Sequence, residues 1–282
     1  MATLHSYSFD TLFPLWYDQL ITTGVLSLAS IDFVRPDGMV LLFLGLVYVL
    51  QELPYIRLQV PIGHVRSYLA RAGFFDALPS AVRVEPRLTN DELCKSSRFN
   101  GNCSSLLELT LAKTETELQT LLDRIVDAAE RLLSYPSTAA CDIGILVSEI
   151  WQNSIQHGDA RYSPGVMQVY GEGPNRRLEL AVGDDGIGIA KSLSENEKYK
   201  NLIDDCDAIN TAVMPKVSRL VNDATRGNGL TRVVRQTAER NGIVCIRSGS
   251  ARSRYQGEKN ASWNNHVPHL PGTQVVVSLL AA

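Results

Sequence analysis

Glu149, Asn153 and His157 stand at i, i+4 and i+8 in the run 148–157, a spacing that stacks them along one side of a helix. A carboxamide oxygen suits Mg²⁺, and a carboxylate one turn away suits orienting or deprotonating water or a hydroxyl. Ile143, Leu146, Val147, Ile150 and Ile155 supply an apolar side to dock that helix. A solvated polar stripe on an amphipathic helix explains the same pattern, and for this run alone it is the stronger reading.

A second candidate lies at 182–190, directly after an apolar strand. Asp184 at the strand end offers a buried acceptor suited to the exocyclic amine of adenine, because a wrong base leaves the carboxylate unpaired. Gly186 and Gly188 let the backbone turn sharply and approach a ligand closely. An ordinary Asp-Gly turn between strands is a credible alternative for this segment in isolation. The third candidate is Arg226-Gly227-Asn228-Gly229-Leu230 at the start of a helix, where free backbone N–H groups and the helix dipole attract phosphate. Arg226, Arg219 or Lys216 would add charge there. A flexible loop is the bland alternative. The absence of GxxxxGK[ST] excludes a P-loop.

The elements that must position these residues read as follows. Ser137 caps a helix over 139–157, a second helix covers 231–240, and strands fall at 166–170, 178–182, 243–247 and 273–280. A long helical stretch is expected over 104–133. The polar stretch 190–226 is too long for an ordinary connection, which marks it as a lid or binding loop. Before these, 25–34 reads as a strand running into the turn Arg35-Pro36-Asp37-Gly38, followed by a strand at 56–60 and a helix at 64–75. Residues 80–102 read as a polar linker, and 1–20 show no clear period. The alternation implies an α/β protein with a small N-terminal α/β layer.

The 282 residues are 45% hydrophobic and 20% charged with net charge −3, enough to bury a core and without a global pull toward nucleic acid or anionic membrane. The apolar run 38–50 is too short for a span of about 20 residues and is expected to be a buried helix. The five cysteines show no CxxC spacing, and Cys94 and Cys103 lack a second close pair to complete a zinc site. Free thiols and no export signal lead to a cytoplasmic expectation. His266 and His269 form an HxxH in a polar stretch, read as a loop and not a metal site.

Taken together, Glu149-x3-Asn153-x3-His157, Asp184-x-Gly186-x-Gly188, Gly227-x-Gly229-Leu230 and Gly272-Thr273 resemble the GHKL superfamily of gyrase, the ninety-kilodalton chaperone, histidine kinases and mismatch-repair ATPases. The resemblance covers about 105–282 and implies an ATP-binding domain at 104–282, an α/β sandwich of helices on a mixed sheet with ATP beneath a mobile lid. It assigns Mg²⁺ to Asn153, adenine to Asp184 with support from Thr273, and the base pocket to Gly186 and Gly188. Phosphate falls to Gly227 and Gly229 beside Arg226 and Leu230. Glu149 becomes the general base, and His157 lines the pocket. The stretch 31–39 is similar to the strand-turn-helix of STAS domains, which implies a STAS-like domain over 1–95, with Asp37 in the slot that usually carries a phosphoacceptor serine.

Three functions follow as expectations: an anti-sigma-type serine/threonine kinase acting on a STAS-type or sigma-factor regulator, an ATP-hydrolysing switch, or a nucleotide-binding module with negligible turnover. Nothing before Glu149 supplies a phosphoacceptor histidine of the histidine-kinase kind, since the helix expected over 104–133 contains no histidine, which disfavours an autophosphorylating histidine kinase. A homodimer is an open option.

Overall fold

The computed structural model describes residues 2–93, 105–112, 114–157, 160–202, 204–218, 228–257 and 261–282, with the backbone alone at 155–157 and 261–262. The N-terminal part runs β1 (Ala2–Leu4), α1 (Ser6–Thr23), β2 (Val25–Ser27), β3 (Ile31–Val34), α2 (Pro36–Val49), β4 (Ile56–Gln59), α3 (His64–Arg71), α4 (Phe74–Ala77), β5 (Val82–Glu85) and α5 (Asn90–Leu93). Strands β2, β4 and β5 pair in parallel in that order, and β1 and β3 form a second parallel pair. The apolar run forms α2, whose residues Pro36 to Val47 are all buried. A helix apolar on all sides needs neighbours on all sides. Among the described residues, no helix is long and apolar enough to cross a membrane.

Close packing explains two glycines of α2. A Cβ on Gly45 would meet the Phe13 and Phe9 rings of α1 at 3.0 and 3.2 Å, and one on Gly38 would lie 2.3 Å from the Leu4 carbonyl oxygen. Asp37 is buried and accepts hydrogen bonds from the backbone N–H and hydroxyl of Ser6, at 2.8 and 2.5 Å. Its carboxylate thus ties the start of α1 to the start of α2.

The chain continues through β6 (Leu106–Leu111), α6 (Glu115–Leu133), α7 (Ser137–His157), β7 (Pro164–Tyr170), β8 (Arg177–Gly183), α8 (Gly188–Ser194), α9 (Asp205–Ala212), α10 (Gly229–Glu239), β9 (Ile243–Gln256) and β10 (Ala261–Leu280). The strands form one sheet in the order β6-β7-β8-β10-β9. Alternate residues face opposite layers. Leu107, Met167, Leu180, Val182, Val275 and Val277 pack with the helices that follow β6. Leu106, Val166, Ala181 and Val276 pack with the N-terminal layer. At the end of β8, a Cβ on Gly183 would sit 2.9 Å from Leu44 and 3.0 Å from Val40 of α2.

Charged groups strap the N-terminal layer to the sheet. Arg35, just before α2, holds Glu179 of β8 through both Nε, at 3.0 Å, and Nη2. Asp10 of α1 accepts from Arg247 Nε at 3.2 Å and from Arg252, both on β9. The Arg252 guanidinium also stacks 3.7 Å over the Tyr7 ring, a cation–π contact.

Several expectations need correction. The sheet is antiparallel in every pairing of β6, β7, β8, β10 and β9, not mixed. The helix expected over 104–133 is β6 followed by α6: residues 106–111 pair with β7, with an irregularity between Leu107 and Thr110, and Thr114 and Glu117 form a reciprocal capping box that starts the helix. Residues 1–20 contain most of α1, the strand at 25–34 is two strands, and the helix at 64–75 breaks at Gly73, whose φ is 70°. The linker contains β5, an outer strand of the parallel sheet, and α5. The HxxH stretch lies on β10 and not in a loop. Cys94 and Cys103 lie outside the described residues.

Burial pushes the Asp10 carboxyl up and the Arg247 guanidinium down, against the attraction between them. Such a group stabilises little as a whole, yet removing one partner strands the other charge. Asp10→Asn leaves Arg247 and Arg252, 3% and 8% exposed, without their carboxylate. The expected loss is about 3 kcal/mol of unfolding free energy, read as a lower urea midpoint; a loss below about 1 kcal/mol would show the strap to be dispensable.

Candidate functional site

Helix α7 is the spine of the candidate site. Ile143, Leu146, Val147, Ile150 and Trp151 are buried in the core between α7 and the sheet. Trp151 lies against Gly165 of β7, where a Cβ would stand 2.3 Å from the ring. This docking leaves Glu149 and Asn153 at intermediate burial. His157 ends the helix, and its side chain lies outside the described residues.

Strand alternation delivers the second group to the same layer. Leu178, Leu180 and Val182 face α7, so Asp184, one step beyond β8, follows on that face. It is 4% exposed. Its Oδ1 accepts from the Gly186 N–H at 2.9 Å and the Thr273 N–H at 3.2 Å, while its own N–H donates to the Thr273 carbonyl at 2.9 Å. Thr273 therefore supports Asp184 through its backbone, while its hydroxyl lies 3.4 Å from Ser248 Oγ. Burial is the main cause that pushes the Asp184 carboxyl up to about 7, with the two backbone donors acting against it.

The neighbouring carboxylate has a different task. Asp185 accepts from the Arg161 and Tyr162 N–H groups at 2.8 and 2.9 Å and pairs with the Arg161 side chain at 3.3 Å. It fastens the segment entering β7. Gly188 opens α8 at φ 75°, and its neighbour Ile189 donates its N–H to Ser248 Oγ at 2.8 Å.

The third group meets the first. A Cβ on Gly229, at the start of α10, would lie 2.9 Å from Glu149 Oε2 and 3.4 Å from Asn153 Nδ2. One turn into α10, Arg232 Nη1 donates to Glu149 Oε1 at 2.8 Å. Leu230 packs against the core beneath, and Lys216 donates its backbone N–H to Asn228 Oδ1 at 3.2 Å. Arg219, Arg226 and Gly227 lie outside the described residues. Ser154 closes the arrangement: its hydroxyl donates to the Gly183 carbonyl at 3.2 Å and lies 2.6 Å from Ser163 Oγ. Asn153 thus faces Gly229, while its chain neighbour holds the end of β8 beside Asp184.

Ser154, Ser248 and Arg232 are site residues that sequence reasoning missed. Arg232 carried a usable signal, three residues after Gly229 on a helix that must pack near Glu149. The two serines carried none beyond their neighbours. Away from Asp184, a concavity of about 570 Å³ opens between α6 and α7 and reaches Glu149 and Gln152.

The residues fit a nucleotide and Mg²⁺ on chemical grounds. Asp184 is a buried acceptor held by two backbone N–H groups, which suits an uncharged amine donor. Asn153 offers an amide oxygen, and Gly229, lacking a Cβ, lets the start of α10 approach Glu149 and Asn153 closely.

Gly272 and Gly24 separate two effects. Both have positive φ, 83° and 68°, but a Cβ on Gly272 would lie 1.9 Å from the Asp184 carbonyl oxygen, whereas one on Gly24 meets nothing within 4 Å. Gly24→Ala should cost only backbone strain, about 1–2 kcal/mol. Gly272→Ala should cost clearly more in a denaturant titration, because it must part Asp184 from Thr273. Equal losses would mean that the close approach carries no weight.

No protein-family model matches the chain, and no curated protein matches it.

Proposed function

We propose that the chain is a cytoplasmic regulator of GHKL type that binds ATP with Mg²⁺ and phosphorylates a serine or threonine of a protein partner, with STAS-type or sigma-factor regulators as the partner class. The observation that carries this reading is the convergence on α7 of the three motifs: Gly229 at Glu149 and Asn153, and the Asp184 segment at Ser154. A polar stripe, an Asp-Gly turn and a flexible loop have no common reason to meet. The N-terminal parallel strands β2, β4 and β5 with their crossover helices support the STAS-like reading of 1–95.

In this reading Asp184 accepts from the exocyclic amine of adenine, and Gly186 and Gly188 leave room for the base. Asn153 holds Mg²⁺ through its amide oxygen. Bound Mg²⁺ neutralises charge on the phosphates. The start of α10 presents backbone N–H groups to phosphate oxygens. Glu149 takes the proton of the acceptor hydroxyl as that oxygen bonds to the terminal phosphorus and the bond to the ADP oxygen breaks. Oε2 is the oxygen available for this, because Arg232 holds Oε1. That same ion pair favours a second reading, a nucleotide-binding module or slow hydrolytic switch, since it engages Glu149 before any substrate arrives.

Asn153→Ala should abolish Mg²⁺-dependent ATP binding in calorimetry. Glu149→Ala should retain binding and lose about 100-fold or more in phosphate transfer or release. Labelled ATP distinguishes the readings: label on a co-purified protein supports the kinase, free phosphate alone the switch, and tight binding without either the module. Full turnover in Glu149→Ala removes Glu149 from the chemistry.

Asp184 sets a pH dependence. Its folded value of about 7 lies above the ordinary 3.8, so its contribution to stability is full below about pH 4 and is lost as pH rises to about 7. An amine donor binds the ionised form, so nucleotide affinity should run the other way and be roughly 10-fold weaker at pH 6 than at pH 8. Asp184→Asn should weaken binding by about 30-fold, equivalent to about 2 kcal/mol, and its profile serves as the baseline for titration of the nucleotide itself. Identical pH profiles in the two proteins would rule out the adenine contact.

A further inference from the structure

Asp204, Cys206 and His266 bring a carboxylate oxygen, a thiol sulfur and an imidazole nitrogen within 4.8 Å of one another. Asp204 Oδ2 lies 3.6 Å from His266 Nε2. Bond lengths of about 2.0–2.3 Å in a tetrahedron separate neighbouring ligand atoms by roughly 3.3–3.7 Å, so small side-chain rotations bring these three atoms onto a single ion. We infer that these residues form a binding site for a zinc-class divalent cation, separate from the candidate nucleotide site. A donor set of one oxygen, one sulfur and one nitrogen suits Zn²⁺, and three protein ligands leave a fourth position for water.

The backbone that carries the ligands is fixed by other contacts. Asp204 divides its oxygens: Oδ1 caps α9 by accepting the Cys206 and Asp207 N–H groups at 2.8 and 3.1 Å, which leaves Oδ2 toward His266. Asp205 Oδ2 accepts the Ser250 N–H of β9 at 2.8 Å, and Tyr255 of β9 donates to Asn210 of α9 at 3.2 Å. Helix α9 is therefore already seated on the arm of β9. Register then presents His266, which pairs with Ala251 across the β9–β10 hairpin. Cys206 is buried while His266 is exposed, so the sulfur lies at the base of the site and the imidazole at its open side. Asp205 and Asp207 flank Cys206 in the chain, adding negative charge that favours a cation. The bound ion would cross-link α9 to β10.

The test uses the full chain, stripped with chelator and titrated with Co²⁺ and then Zn²⁺. One Co²⁺ per chain should produce a thiolate charge-transfer band and the visible bands of tetrahedral geometry, both erased by one equivalent of Zn²⁺. Cys206→Ser should lose the charge-transfer band. His266→Ala changes an exposed side chain and should fold normally, as circular dichroism can verify, yet bind Zn²⁺ at least about 100-fold more weakly, since even outer-shell changes cost 10–100-fold. Absence of the band in the unmodified chain, its persistence in Cys206→Ser, or unchanged Zn²⁺ affinity in His266→Ala overturns the site. ATP binding is expected to survive both substitutions, which keeps this result distinct from the nucleotide reading.

Discussion

Burial of both faces of the antiparallel sheet is the constraint under which the other elements are arranged. Antiparallel sheets commonly leave one face wet. Here the alternation along β8 sends Leu178, Leu180 and Val182 to one apolar layer and Ala181 to another. Shifting a strand by one residue would exchange the two sets, so both layers oppose a slip. The same register places Asp184, just beyond β8, and the paired Ser248 and Thr273, within β9 and β10, on the α7 side. Positional accuracy at the candidate site is thus a by-product of core packing.

Two adjacent carboxylates show how that framework assigns roles. Asp185 finds two N–H groups and an arginine, and its charge is used to hold a loop. Asp184 finds two N–H groups and, among the described residues, no salt-bridge partner, and burial dominates its titration. Burying a charge without a counter-charge is unfavourable for folding alone. Perturbed groups of this kind gather at functional sites.

Much of this was legible in the sequence, and the failures have physical causes. Helix α7, most of β7 and β8, the start of β9, the end of β10 and the buried α2 follow from periodicity and run length. In α1, Phe9, Phe13, Trp16 and Leu20 are buried at helical spacing, but Pro14 interrupts the polar signals around them. Strand β5 is four residues long, too short for alternation to stand out in a polar stretch. The sheet's direction could not be read, because strand pairing depends on which elements are neighbours in space. The candidate site was legible where chemistry and spacing coincide, at Glu149, Asn153, Asp184 and Gly229. Ser154 and Ser248 act through backbone groups distant in the chain, Gly183 of β8 and Ile189 of α8, which no local pattern announces. The grouping of Asp204 and Cys206 with His266 depends on hairpin register and was equally invisible.

Gly183 has a mechanical consequence. It is the last residue of β8, it precedes Asp184, and its bare Cα faces Leu44 and Val40 of α2. Phe43 of the same helix meets the Tyr162 ring edge-on at 5.6 Å, and the Tyr162 N–H is bonded to Asp185. Densely packed interiors transmit displacement instead of absorbing it. A tilt of α2 therefore arrives at both aspartates by separate routes, and the N-terminal layer has a lever on the Asp184 carboxylate.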